Sequence, residues 1–269
     1  MAGDRVGCGC RATGRPWHDA PMPASISETL ALLDGVEGWL TDGQAGLLHT
    51  EASRCHDGDR IVEIGSFRGR STIVLASAAA PGVEIVAIDP HAGTDRGPHE
   101  FEGYAEEASQ DHVAFNRNLA SAGVSDRVRH VRAFSDDAHA LIDDPITVLY
   151  IDGAHRYAPA RNDIRTWGAR VAPGGSLLIH DAFSSAGVTR AIARELLLGE
   201  RFRYVDRSRS LVRYRCDLDP SPRARAANSA RQLAQTPWFL KNLTVKVLVR
   251  TGAARLLRPV LRRPLEWPY

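Results

Sequence analysis

The chain has 269 residues, of which 43% are hydrophobic, and its formal net charge is +2. This length and apolar content suit one large domain with a sizeable core, and they exclude a low-complexity chain. The four cysteines have no zinc-site spacing, and two of them, Cys8 and Cys10, lie in a polar, Gly-rich leader, so no disulfide framework is expected. No apolar run reaches the roughly 18 residues of a membrane span. We therefore expect a cytoplasmic globular protein.

The charges are divided unevenly along the chain. Residues 1–200 carry 18 Lys and Arg against 28 Asp and Glu, whereas residues 201–269 carry 16 against 4. The basic tail is expected to lie on an acidic body, its own or that of a partner in a homodimer. Peripheral contact with an anionic membrane is an alternative, because the tail is also amphipathic. No nucleic-acid partner is expected, since the basic residues are mixed with aliphatic ones and no binding motif accompanies them.

The chain divides into three predicted parts. Residues 1–24 are polar, lack the apolar core of a signal peptide and are expected to form a disordered leader. Residues 25–216 are the predicted domain, which begins with two helices that cover the sheet or the mouth of a site. Residues 217–269 are a predicted basic, amphipathic and helical extension.

From Arg60 onward, short β-branched runs alternate with segments of helical length. This alternation predicts a doubly wound α/β domain, Rossmann-like, with a seven-stranded sheet that ends in an antiparallel hairpin. The strand segments are RIVEIG, EIVAID, VRHVRAF, ITVLYID, GSLLIHD, RFRYVDR and SLVRYRC, and the helical segments between them include STIVLASAAA, DDAHALI and APARNDIRTWGARV.

The first strand is followed by a glycine turn that suits an adenosine-containing ligand. Gly65 and Gly69 give G-x-x-x-G, which weakens a dinucleotide interpretation because that fingerprint is G-x-G-x-x-G. Asp89 ends the next strand, where a carboxylate can accept hydrogen bonds from ribose hydroxyls. The long polar segment 91–112 that follows it is expected to be a lid or an acceptor-binding loop.

A second group of polar residues follows two later strands. Asp152 and Asp181 end successive strands, so their carboxylates should converge at one sheet edge, where hard oxygen ligands favour Mg²⁺ or Mn²⁺. His180 is the candidate third metal ligand, with a core position as the alternative. His155 follows Asp152 by three residues, and Asp163 lies in the helix after it. We expect Asp163 on the surface of that helix; the alternative is that its carboxylate orients His155.

These motifs together resemble a known family. The segments GWLTDGQA, EIGSFRGRST, AIDP, AFSDDA and YIDGAHRYAPARNDIRTWGARVAPGGSLLIHDAF resemble the class I S-adenosylmethionine-dependent methyltransferases, specifically the metal-dependent sugar and macrolide O-methyltransferases of actinobacteria. The resemblance covers roughly residues 36–215. Each motif alone is weak, but their order and spacing are specific.

The resemblance implies a role for each residue of the predicted site. S-adenosylmethionine would contact the residues at the strand ends, and a divalent metal would be held by two acids. His155, three residues after the first acid, would be the catalytic base. The implied cofactor residues are Glu63, Gly65, Ser66, Asp89, Ser135, Asp136 and Asp152, and the metal residues are Asp152, Asp181 and His180.

The expected function is Mg²⁺-dependent O-methylation of a hydroxyl on a sugar, an oligosaccharide or a glycosylated natural product. A methyltransferase of mycobacterial methylmannose polysaccharide assembly is one candidate in this family. The alternatives are an O-methyltransferase of a phenolic or antibiotic scaffold, a relative with another oxidative chemistry, as in the cephalosporin hydroxylase-like members, and a non-catalytic membrane-surface or scaffold protein that retains the fold.

Overall fold

The computed structural model describes residues 23–93 and 105–251, without the side chains of residues 105–108. The predicted leader, apart from its last two residues, lies outside these ranges, as do half of the predicted binding loop (residues 94–104) and the end of the basic extension. Within the described ranges, no helix combines the length and apolar character that crossing a bilayer requires.

Strands and helices alternate along the described chain. The strands are β1 (Arg60–Ile64), β2 (Glu84–Ile88), β3 (Val128–Val131), β4 (Ile146–Ile151), β5 (Val171–Ile179), β6 (Phe202–Ser208) and β7 (Leu211–Cys216). The helices are α1 (Ile26–Leu32), α2 (Asp42–Ala52), α3 (Arg70–Ala78), α4 (Ala105–Ser121), α5 (Tyr157–Thr166), α6 (Ala186–Glu195), α7 (Pro222–Leu233) and α8 (Thr236–Arg250).

The seven strands form one sheet in the order β3-β2-β1-β4-β5-β7-β6. Strands β1 to β5 are parallel, and the β6–β7 hairpin joins antiparallel through β7. The predicted doubly wound sheet with its terminal hairpin is thereby confirmed. Ile64 is in register with Ile88 and with Ile151, which pairs with Ile179, so four parallel strands end at one edge.

A hydrophobic core lies on each face of the sheet, because successive residues of a strand point to opposite faces. In β4, Leu149 joins the core that contains Trp167, whereas Tyr150 joins the core that contains Leu48 and Phe115. A strand buried on both faces is apolar at nearly every position, which is why these strands were recognisable as short apolar runs.

The two predicted N-terminal helices are present, and each begins with a capping box. Ser25 and Glu28 form the box of α1, and Thr41 and Gln44 form that of α2. Helix α2 is tied to the sheet by the buried Glu51, whose carboxylate accepts hydrogen bonds from Ser176 and from arginines of β7. The helices therefore cover one face of the sheet, as expected.

One predicted helix is wrong. The segment DDAHALI forms two 3-10 turns, Ser135–Asp137 and His139–Leu141, rather than an α-helix. Only residues 132–145 connect β3 to β4, which leaves little room for a helix in the crossover. Its opening Ser and Asp residues also favour caps and turns over helix interiors, because their side chains compete for backbone hydrogen bonds.

The described part of the basic extension is helical and packs against its own domain. Asn228 of α7 accepts a hydrogen bond from the backbone N–H of Tyr204 at 2.8 Å, and its amide donates to the carbonyl of Leu196. Asn242 of α8 donates to the carbonyl of Phe183 at 2.9 Å. Self-packing was one expectation for this segment, and these buried contacts account for its inner face.

Candidate active site

The predicted site residues gather at the carboxyl ends of β1, β2, β4 and β5. Each connecting loop begins with a backbone hydrogen bond that extends the sheet ladder: Gly65 N–H donates to Ile88, Asp152 N–H to Ile64 and His180 N–H to Ile151. In open α/β sheets, ligands bind outside these strand ends, at the point where strand order reverses. That point lies here between β1 and β4.

Gly65 allows the turn after β1 to approach the end of β4. Its φ is +86°, in the left-handed region, and a Cβ added here would lie 2.3 Å from the backbone oxygen of Asp152. Only glycine fits a turn with both properties. The turn and the carboxylate that follows β4 are therefore held next to each other by backbone contact.

Asp89 closes this turn. One carboxylate oxygen accepts the backbone N–H groups of Ser66 at 2.9 Å and of Phe67 at 2.8 Å, and the other accepts that of His91 at 2.8 Å. The carboxylate is thus fixed at the end of β2 beside the glycine turn. Its contact with ribose hydroxyls stays a prediction.

Glu63 lies beneath the turn and faces helix α3. It is fully buried, and its two oxygens accept hydrogen bonds from the hydroxyls of Ser71 and Thr72. Burial raises the pKa of Glu63 to about 8, although the two hydroxyl groups oppose this shift. Its observed contacts attach the start of α3 to β1 and do not involve the open side of the turn.

Ser135 and Asp136, the predicted adenine contacts, lie on the turn after β3 and are bonded to helix α5. Ser135 Oγ donates to Asp163 Oδ1 at 2.6 Å, and the Asn162 amide donates to Asp136. Burial raises the pKa of Asp163 to about 6. The expected surface position of Asp163 is wrong, because the side chain is buried against Ser135, which begins the turn after β3, and its observed hydrogen bond is to Ser135 rather than His155.

Asp152 and Asp181 lie close together, as expected of residues that follow neighbouring strands, and His155 lies beside them. One potential ligand atom from each lies within 4.8 Å of the others. His155 Nε2 is 2.8 Å from Asp181 Oδ2, and the hydroxyl of Tyr150 donates to Asp152 at 2.7 Å. Of the described residues, this is the group of acids and histidines whose geometry suits a metal ion.

His180 lies behind the two acids. Its Nδ1 is 3.1 Å from Asp152 Oδ1 and 3.4 Å from Asp181 Oδ2. Burial lowers the pKa of His180, but the two carboxylates outweigh burial and raise it to about 10. For Asp181, burial alone would raise the pKa. The hydrogen bonds and positive charge of the two histidines outweigh burial and hold the pKa of Asp181 well below its usual range. A protonated Nδ1 pairs with the acids by charge and cannot bind a metal at the same time.

Gln44 is a contact of the site that the motif analysis missed. Its Oε1 accepts the backbone N–H of Thr41 at 2.8 Å, so its NH₂ group faces Ser210 Oγ at 3.1 Å and His180 Nε2 at 3.2 Å. An NH₂ group only donates, so this contact favours an unprotonated Nε2 on His180. It therefore opposes the two carboxylates, which raise the pKa of His180 and favour its protonated form. The T-x-x-Q capping box was the available sequence signal.

The loop after β5 has an unusual backbone. Asp181 and Phe183 have φ of +54° and +55°, values that non-glycine residues rarely adopt. The start of α6 fits closely against the neighbouring loop, since a Cβ on Gly187 would lie 2.2 Å from the carbonyl oxygen of His155. Strained residues of this kind concentrate at functional sites, because surrounding contacts must hold them in place.

The sheet order and the composition of its loops define a class of protein. A glycine turn after β1 and acids after β2, β4 and β5, on a seven-stranded sheet with an antiparallel end, are the features of the class I S-adenosylmethionine-dependent methyltransferase fold. Residues 62–182 match the family model described as a methyltransferase domain. This segment of the chain is therefore similar to a methyltransferase domain, in agreement with the motifs.

Solved structures share the fold. Cofactor-bound Rv0187 from MTB is 20% identical, with a TM-score of 0.52 over 72% of this chain and 90% of that one. The O-methyltransferase NovP is 17% identical, with a TM-score of 0.52 over 67% and 83% of the two chains. An uncharacterized protein of Sinorhizobium fredii, y4gI, is 27% identical over 55% of this chain, which spans only 15% of that relative's length.

Proposed function

We propose that this chain is an S-adenosylmethionine-dependent O-methyltransferase that acts on a hydroxyl of a sugar, an oligosaccharide or a glycosylated natural product. The observation that carries the proposal is the His155–Asp181 pair, 2.8 Å apart, beside the carboxylate of Asp152 and the glycine turn. A hydroxyl becomes a good nucleophile only if its proton is removed, and a histidine oriented by a carboxylate is suited to that task.

The contact between the two residues supports a role for His155 as the base. Nε2 of His155 faces Asp181, which orients the imidazole, and the imidazole takes the proton of the acceptor hydroxyl. S-adenosylmethionine, when bound, would supply the methyl group to that oxygen and leave as S-adenosylhomocysteine, and Asp181 would stabilise the positive charge left on the imidazole of His155. The side chain of His155 is 36% exposed, which supports access by an acceptor.

The cofactor proposal rests on the methyltransferase domain and on the turn after β1. Gly65 and Ser66 would face the methionine part of S-adenosylmethionine, Asp89 its ribose, and Ser135 with Asp136 its adenine. Rigid loops at the ends of parallel strands can hold the sulfonium in line with the acceptor oxygen, and orientation of this kind contributes about 7–11 kcal/mol in favourable cases.

The donor set fits a hard divalent ion. Asp152 and Asp181 offer carboxylate oxygens at the same strand edge, and such ligands suit Mg²⁺ or Mn²⁺ better than softer metals. When bound, the ion would lower the pKa of the acceptor hydroxyl, as it does that of water. We assign His155 to proton removal rather than to metal binding, because its imidazole is a poor ligand for Mg²⁺.

A phenolic acceptor is the second candidate, and one observation favours it. Trp39, more than half exposed, lies with its ring 5.3 Å from that of Phe67 in the glycine turn. The sequence contains few aromatic residues near the strand ends, but the fold brings Trp39 to one of them. An aromatic pair of this kind can stack on a phenol, or on the apolar face of a sugar.

Titration calorimetry with S-adenosylhomocysteine, with and without Mg²⁺, tests the cofactor proposal. Micromolar binding is expected, and assays with S-adenosylmethionine against methyl glycosides and catechols would then separate the two acceptor classes by mass spectrometry of the product. Absence of cofactor binding under both conditions would overturn the methyltransferase proposal and favour a non-catalytic scaffold.

A further inference from the structure

Helix α8 has an apolar outward face. Asn242 and Val245 are buried against the domain, whereas Leu240, Leu243 and Val247 are 54%, 40% and 52% exposed. Spacings of three and four residues place the exposed three on one side of the helix, opposite the buried pair. We call these three residues the outer stripe.

Basic residues border the outer stripe. Lys241 and Arg250 are exposed on the same helix, and the chain from residue 220 to residue 251 contains six Lys and Arg and no Asp or Glu. Aliphatic residues flanked by cations, without acids, are the composition of helices that lie in the plane of an anionic membrane surface. The surface is therefore complementary in charge to acidic lipid headgroups.

An apolar cavity adjoins this helix. It has a volume of about 100 Å³ and lies between α6, α7 and α8, with Phe183, Ile192 and Phe239 in its wall and the half-exposed Leu233 at its edge. A water molecule occupies about 30 Å³ in the liquid and needs polar partners, so water fills such a space poorly. An apolar chain is a better occupant.

We propose that the outer stripe and this adjacent cavity dock on the surface of an anionic lipid bilayer. The aliphatic side chains enter the boundary between headgroups and acyl chains, and Lys241 and Arg250 lie at the level of the lipid phosphates. A stable homodimer buries about 800 Å² per partner, which three partly exposed side chains do not supply. The bilayer is therefore favoured over a second copy of this chain.

Docking would orient the rest of the molecule. Asn242 on the inner face of α8 donates to the carbonyl of Phe183, two residues after Asp181. The helix is thus joined by a short buried contact to the loop of the candidate active site, and a bound α8 would hold that site near the membrane. This inference does not depend on the proposed reaction.

Co-sedimentation of the full chain with lipid vesicles tests the proposal. We expect binding to vesicles of equal parts phosphatidylcholine and phosphatidylglycerol that exceeds binding to phosphatidylcholine alone by at least about tenfold, and that weakens as salt is raised. Failure of the wild-type protein to bind the anionic vesicles at low salt would overturn the proposal.

Two sets of variants locate the docking surface. L240S/L243S/V247S should lower vesicle binding by about tenfold or more, whereas V113S/L141S/L218S, which removes the same residue types from exposed positions elsewhere, should not change it. Equal binding by the two triple variants would refute the assignment. K241Q/R250Q, which leaves the apolar residues in place, should reduce binding to anionic vesicles and its salt dependence, and unchanged binding would equally refute it.

Sedimentation velocity tests the alternative that a second copy of this chain, rather than a bilayer, covers the outer stripe. A wild-type dimer that the outer-stripe variant converts to a monomer, without vesicle binding by either protein, would show that this face is an interface between copies of the chain. Thermal unfolding of each variant confirms that the comparison is made between folded proteins.

Discussion

Replacement of Gly65 by alanine should damage the fold and the candidate site together. The left-handed backbone, with φ of +86°, costs an L-residue about 1–2 kcal/mol, and the new methyl group would lie 2.3 Å from the backbone oxygen of Asp152. A backbone atom at a strand end cannot move away as a flexible side chain can, so overpacking adds about 1–3 kcal/mol. The free energy of unfolding should therefore fall by about 2–5 kcal/mol.

Gly123→Ala is the matched control. Gly123 also has a positive φ, +69°, but nothing lies within 4 Å of a Cβ added there. The free energy of unfolding of Gly123→Ala should fall only by the cost of the left-handed backbone. The difference between the two variants therefore measures the close approach of the turn to β4. The measurement is thermal or urea unfolding of both variants, in which about 2–5 kcal/mol corresponds to roughly 5–20 °C in Tm for a domain of this size.

The same variant connects packing with ligand binding. If the turn binds the cofactor, Gly65→Ala should lower the affinity for S-adenosylhomocysteine by well over tenfold in titration calorimetry. Gly123→Ala should leave that affinity unchanged. A Gly65→Ala protein as stable as Gly123→Ala would refute the packing argument. If Gly65→Ala is destabilised but binds S-adenosylhomocysteine with unchanged affinity, the turn is not part of the cofactor site.

The remaining predictions concern individual side chains. His155→Ala should lower kcat by about 10²–10⁴ with little change in S-adenosylhomocysteine affinity, and full turnover at saturating Mg²⁺ would rule out the assigned base. Asp152→Asn should weaken Mg²⁺ binding in calorimetry, and wild-type activity that persists in excess EDTA would remove the metal from the reaction. Because the pKa of Glu63 is raised to about 8, wild-type stability should decline as pH rises from about 4.5 to 8, by up to about 5 kcal/mol. Glu63→Gln should make the decline between pH 5 and 8 smaller in urea unfolding, while the declines that come from the raised pKa values of Asp163 and His180 remain in both proteins. An identical pH profile in the two proteins would contradict the shift.

The central strands were predictable because they are buried on both faces, so strands such as β2 and β4 appear in the sequence as short, mostly apolar runs. The outer strands β3, β6 and β7 instead mix apolar with charged residues. The site was predictable for the related reason that strand ends meet at one edge of the sheet. Asp152 and Asp181 are 29 residues apart in the chain, but β4 and β5 are neighbours in the sheet. Their proximity follows from topology once the strands are known.

Contacts that depend on packing between distant segments were not predictable. Gln44 reaches His180 across 136 residues, and the ring of Trp39 lies beside that of Phe67, although nothing in the local sequence specifies either partner. Asp163 was predicted to be exposed, because a carboxylate in a polar helix usually is. In the structure it is buried, since Ser135 and the adjoining turn cover it. Side chains of this kind are placed by tertiary structure alone.

The position of β4 between β1 and β5 has a consequence for hydrogen exchange. Its amide protons lie in the middle of a seven-stranded sheet, with a core on each face, so they should exchange with solvent only when the whole domain unfolds. Asp152 follows directly from this strand. The acids of the candidate site therefore stand on the slowest-exchanging part of the molecule.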